Sequence, residues 1–264
     1  MRCLIAFAAA FVAFAAQPAA ATTIERVVSP GGIEAWLVRD SSIPLIAMNF
    51  SFAGGSTEDP DTKSGTAYMV SSMLDEGAGP LDSRAYHQQL EDNAVELNFS
   101  VNHDYFQGSI KLLKERQDKS FELLRLALNE PKFEQDATVR VREQVMAALR
   151  RETTDPGSIA TRAWWGTAFE GHPYARPNNG TLVSVPTITG DDMRDYARHV
   201  LTRGNLKVAA VGDIDAAALG KVLDTVFGAL PASSTLRSIP DVAVHDTGGV
   251  RVLRRIVLRE VPIA

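Results

Sequence analysis

The sequence predicts an α+β domain, a mixed sheet with helices packed largely on one face. Short apolar runs at 33–38, 45–52 and 206–211 read as strands. Longer segments with apolar residues at helical spacing stand between them, and the two kinds do not alternate strictly as βαβ units would. The composition agrees: 45% hydrophobic and 22% charged residues, with 19 Gly and 13 Pro in 264, exclude collagen-like, low-complexity and disulfide-scaffold classes. Lys+Arg 27 against Asp+Glu 32 gives a net charge of −5, so no basic field exists to organise nucleic acid.

Taken in order, Arg2 followed by the apolar run Cys3–Ala16 and by Gln17-Pro-Ala-Ala-Ala21 reads as a cleaved export signal over residues 1–21. The run is too short to span a membrane, so a periplasmic or secreted protein with no membrane insertion after cleavage is expected. Cleavage also removes Cys3, the single cysteine, and with it any cysteine nucleophile or thiolate metal site. Residues 33–38 alternate as a strand, and 45–52, more apolar, read as a strand covered on both faces. A helix is expected over Ser64–Glu76, ended by Gly77 and Gly79, and another from Asp82 as N-cap to Asp92. Residues 96–102 and 105–112 pair around the polar turn Asn102-His-Asp104. Helices follow over 114–129, 134–154 and 158–169, separated by Pro131 and Pro156. The Pro-rich 171–186 is an ordered loop, Thr189 caps a helix to Leu201, and 206–211 and 215–227 form a last strand and helix. One complete domain thus occupies 22–230, and 231–264 read as a linker and the first strand of a second, truncated repeat.

Several segments also carry a resemblance. Gly55-Ser-Thr-Glu-Asp-Pro60, Gly65-Thr-Ala67, a helix ending in Met73-Leu74, Leu126–Phe133, Gly171-His-Pro-Tyr174, Gly180-Thr181 and Val211-Gly-Asp213 keep the order and spacing of the pitrilysin/insulinase (inverzincin) metallopeptidases. The resemblance implies a peptidase-like N-terminal domain whose chemistry rests on a helical H-x-x-E-H, with two zinc-binding histidines and a glutamate as general base. Here the first histidine position is Tyr68, the glutamate position Ser71 and the second histidine position Ser72. The family's third ligand, on a later helix, falls on Ala148, 76 residues after Ser72. Neutral hydroxyls are poor zinc ligands, serine has no pKa near neutrality, and alanine has no donor, so zinc is expected to be absent.

No substitute site is apparent. No two of the histidines at 87, 103, 172, 199 and 245 stand four apart, and Glu143 alone is too little for zinc. Ser71 and Ser72 have no adjacent base, so they read as small packing residues. His103 and His172 read as structural, Trp164, Trp165 and Phe121 as core, and the charges of 134–152 as a solvated face. The family's peptide-pairing strand edge resembles Leu97–Val101, which makes Asn98, Phe99 and Ser100 the candidate peptide contacts, with Phe99 where the family has a small residue. The expectation is therefore a pseudo-enzyme subunit, not an enzyme on its own. With a homologous catalytic subunit carrying an intact zinc motif it would enclose extended peptides in a chamber. The alternatives are a metalloendopeptidase with an atypical metal site, and a scaffold subunit that binds no peptide.

Overall fold

A computed structural model describes residues 23–241. The export signal and the strand expected near 250–261 lie outside the described residues. Strand β1 (Glu25–Val28) turns into β2 (Glu34–Arg39), and β3 (Leu45–Ala53) follows. Helix α1 (Thr66–Ser71) leads to a small hairpin of β4 (Gly77–Ala78) and β5 (Leu81–Asp82), then to α2 (Ser83–Asp92). The hairpin β6 (Glu96–Val101) and β7 (Tyr105–Leu113) precedes three helices, α3 (Gln117–Asn129), α4 (Gln135–Glu152) and α5 (Pro156–Ala168). Helix α6 (Gly190–Val200), β8 (Leu206–Gly212) and α7 (Ala216–Phe227) complete the described elements.

The caps explain why the boundaries fall where they do. Asp82, Asp155 and Asp215 each accept a hydrogen bond from the backbone N–H three residues on, and Thr189 with Asp192 forms a capping box. One expected helix is cut short: 64–76 forms only Thr66–Ser71. The Ser71 and Ser72 hydroxyls both donate to the Tyr68 carbonyl, at 2.8 and 3.0 Å, in competition with the helical ladder. The chain then tightens into three-residue turns, Met73 N–H to Val70 O and Glu76 N–H to Met73 O. Gly77 (φ 111°) does more than stop a helix: with it the chain enters the unforeseen β4–β5 hairpin.

The sheet runs β1-β2-β8-β3-β7-β6, with β2–β8 parallel and every other pair antiparallel. Mixed pairing and helices on one face are what the sequence predicted. The expectation that β3 is covered on both faces is corrected. Ile46, Met48, Phe50 and Phe52 are buried, whereas Asn49 is exposed and Ala47 and Ser51 are half-buried. Polar residues at alternate positions were the sign of an open face. On the covered face α7 and α3 pack together, and the Phe227 ring meets Phe50 edge-on at 5.5 Å. The Phe50 ring lies over Gly108, where a Cβ would come within 2.1 Å of it.

Candidate functional site

Helix α1 is placed by its start. Gly65 has φ 97° and touches the backbone of Gly180, where an added Cβ would stand 2.9 Å from the Gly180 Cα. The carboxylate of Asp59 accepts hydrogen bonds from Gly65 N–H (2.7 Å) and Ala67 N–H (2.8 Å). Burial pushes this carboxyl up to about 7 against those stabilising amides.

Beside α1 opens a cavity of about 560 Å³, lined by Tyr68, Val101, His103, Glu152, Arg162 and Trp165 and by the loop at Asn178 and Asn179. Its charges are largely answered internally. Glu152 accepts from Arg162 Nη2 and from Asn179 Nδ2, both at 2.7 Å. The Asp155 carboxyl is held below its usual range by the Ser158 N–H it caps. Arg176, also on the wall, pairs with Asp61 at 2.6 Å. The aromatic wall is a stack: His103 lies 4.6 Å from Trp165 and 5.1 Å from Tyr174, ring centre to ring centre. Burial holds the His103 imidazole below its ordinary value, so this wall is neutral at neutral pH. The Tyr174 hydroxyl donates to Asp104 at 2.6 Å, which pushes its pKa up to about 12.

Of the positions matching the zinc motif, Tyr68 faces this cavity. Ser71 and Ser72 turn their hydroxyls back onto the α1 backbone. Ala148 is half-buried on α4, and Glu152, one turn later, reaches the cavity instead. Among the described residues no group of three or more His, Cys, Asp or Glu could hold a metal ion. This donor set does not fit zinc, because it offers neither imidazole nor carboxylate at the four positions.

Strand β6 ends the sheet, so one of its edges has no strand neighbour among the described residues. Asn102 N–H bonds Tyr105 O at 3.0 Å. The antiparallel alternation from that bond turns the N–H and C=O of Leu97, Phe99 and Val101 off the edge. Asn98 and Ser100 point to the open face of the sheet, and the Phe99 ring packs inward against Phe50 and Phe106 at 6.3 Å from each. Phe99 therefore contributes backbone rather than a side-chain contact at the edge, and Val101 carries the edge to the cavity.

The tryptophans require a correction. Trp164 is 56% exposed and Trp165 half-buried, so neither is core, whereas Phe121 is buried as expected. Helix α5 has only Ala168 buried, so Trp165 walls the cavity and Trp164 meets solvent rather than filling the interior. The residues missed from the sequence are Glu152, Arg162, Asn178 and Asn179. The charge of 152 within a polar helix concealed the first of these, and the others acquire meaning only when loop and helix meet. His172 is structural: its Nδ1 accepts from Tyr174 N–H at 3.1 Å, and its Nε2 lies 2.9 Å from Pro240 O.

Comparison with known proteins identifies this arrangement. A model described as Insulinase (Peptidase family M16) matches residues 37–181, and one described as Peptidase M16 inactive domain matches 187–259. The chain is 28% identical over 189 residues to the Non-peptidase homolog YmxG of Helicobacter pylori, covering 72% of this chain and 44% of that protein. It is 22% identical over 209 residues to a probable mitochondrial-processing peptidase subunit beta of Arabidopsis thaliana, covering 79% and 39%. Among solved structures, a peptidase M16 inactive domain from Pseudomonas fluorescens superposes with TM-score 0.79 at 24% identity, over 84% of this chain and 54% of that one. Pitrilysin superposes with TM-score 0.75 at 19% identity, over 86% and 25%. The chain spans less than half the length of the two sequence relatives. With more than half of its residues matched in order by the first model, the chain belongs to the insulinase family, peptidase family M16.

Proposed function

We propose that this chain is a non-catalytic member of the insulinase family. It acts after export beside a homologous subunit with an intact zinc motif, and it holds extended peptide along β6 in a chamber the two enclose. One observation carries the reading: the frame around the zinc helix is kept while Tyr68, Ser71, Ser72 and Ala148 provide neither ligand nor general base. Loss of a single ligand would leave reassignment open, but loss of three ligands and the general base, on two helices, removes the reaction and spares the scaffold. The names of the relatives, a non-peptidase homolog and a peptidase subunit, support an inactive partner role. The unpaired edge at Leu97, Phe99 and Val101 supports peptide binding, because strand addition needs only backbone donors and acceptors. Where that edge ends, the neutral stack of Trp165 and His103 offers an apolar seat for a peptide side chain.

Val101→Pro tests this, since it removes an outward N–H without touching the ladder. With the catalytic partner present, a photo-crosslinkable extended peptide should label β6 in the parent chain and label it at least tenfold less in the variant. Equal labelling of the two, or no labelling of either, would replace this reading with that of a scaffold. Peptide cleavage by the purified chain alone, abolished by a chelator, would replace it with that of an atypical metallopeptidase.

A further inference from the structure

Two adjacent carboxylates, Glu58 and Asp59, are buried in the turn that follows β3, and neither belongs to the cavity wall. Buried carboxylates persist only where they are satisfied. Asp59 is satisfied by the α1 amides already described. Glu58 points the other way, to the connector after α7. It accepts from Arg237 N–H at 3.0 Å, and His199 Nε2 of α6 lies 3.1 Å from it.

The connector is seated by further contacts with the same region. Pro231 O and Ala232 O accept from Arg203 N–H and Gly204 N–H, each at 2.9 Å, and the Ser234 hydroxyl donates to His199 O. Leu236 packs against the core beside Gly54, where an added Cβ would stand 3.0 Å from its methyl. Arg237 Nη1 reaches Asp59 O at 3.3 Å. The turn also binds the cavity rim. Ser56 N–H and Thr57 N–H donate to Asn102 O and His103 O, and the Ser56 hydroxyl donates to Asn178 Oδ1.

We propose that the 54–61 turn is a two-sided clamp through which seating of the 231–241 connector fixes the start of α1, and with it the Tyr68 wall of the cavity. Glu58 is the positioning residue on the connector side and Asp59 on the helix side. Being consecutive in a single turn of 3₁₀ helix and its cap, they cannot be displaced independently. Displacement of the connector, by whatever chain follows it or by a partner, then loosens the cavity wall from a distance. The coupling does not depend on peptide binding.

Amide hydrogen exchange on the full chain tests the clamp in both directions, since coupling between sites is reciprocal. Leu236→Ala should raise exchange at least tenfold both in 231–241 and in 65–72, while α2 stays as in the parent. Asp59→Ala should raise exchange in 65–72 and, through the clamp, in 231–241. Exchange that rises in one segment and not in the other, for either variant, overturns the proposal. If Leu236→Ala raises α2 equally, Ser234→Ala, which removes one hydrogen bond, takes its place, and the same two segments decide the outcome.

Discussion

Helices α5 and α7 are nearly equal in length and both rich in apolar residues, yet the fold uses them in opposite ways. Helix α7 places Leu219, Leu223, Val226 and Phe227 on a single stripe and buries all four against the sheet and α3. Helix α5 scatters Ile159, Ala163, Trp164 and Trp165 around more of its circumference, and of its residues only Ala168 is buried. Apolar content is similar; spacing decides. A stripe at i, i+4, i+7 and i+8 can face a single surface, while a wider scatter leaves some side chains to wall a cavity or meet solvent. The first helix holds the domain together and the second shapes the site.

Substitutions in and between these helices test the contrast. The largest expected effect is on the α7 side: Phe227→Ala removes a fully buried ring that meets Phe50 and should cost about 3–5 kcal/mol in denaturant unfolding. A loss comparable to that of an exposed site would mean that α7 does not anchor the sheet.

Next comes Asp59, which fixes the start of α1 beside the cavity. Its carboxyl is raised in the folded chain to about 7 from an ordinary 3.8. The folded state therefore binds the proton more tightly than the unfolded state between these values. The contribution to stability is fully present below about pH 4 and is lost as pH rises through about 7. From this group alone, stability should rise by up to roughly 4 kcal/mol on acidification from pH 8 to pH 4. Asp59→Asn should flatten that dependence, and an unchanged profile in the variant would assign the titration to another group.

Smaller effects belong to α5. Trp165→Ala opens the half-buried stack and should cost about 1 kcal/mol of stability. Under the proposed function, its larger consequence should be at least tenfold weaker crosslinking to an extended peptide beside a catalytic homologue. Trp164→Ala should be the mildest, within about 0.5 kcal/mol of the parent, because its ring is more than half exposed. A large loss of stability at Trp164 would erase the contrast between the helices.

Much of this was legible along the chain. The hairpin at Asn102-His-Asp104, the capping Asp82 and the capped start at Thr189 all formed as their local chemistry dictates. The apolar period overextends α1 because it continues through Met73 and Leu74, while the serine hydroxyls at 71 and 72 that compete with the ladder at the Tyr68 carbonyl leave no mark on that period. Along the chain β3 reads as doubly covered because its apolar content hides the polar alternation at Asn49 and Ser51. At the site, Tyr68 could be found from its place in a motif. Glu152, Arg162 and Asn179 could not, since their bond network joins segments 10 and 27 residues apart.

Most of the helices and strands, and the chemical content of the motif positions, follow from the sequence alone. Both are local: caps, periods and side-chain identity act within a few residues. Which apolar residues become core, which sheet edge has no strand neighbour among the described residues, and which charges neutralise one another in the cavity are settled by packing. Those outcomes depend on contacts between distant segments. A tryptophan on α5 carries nothing in its own sequence neighbourhood that says whether another layer will cover it.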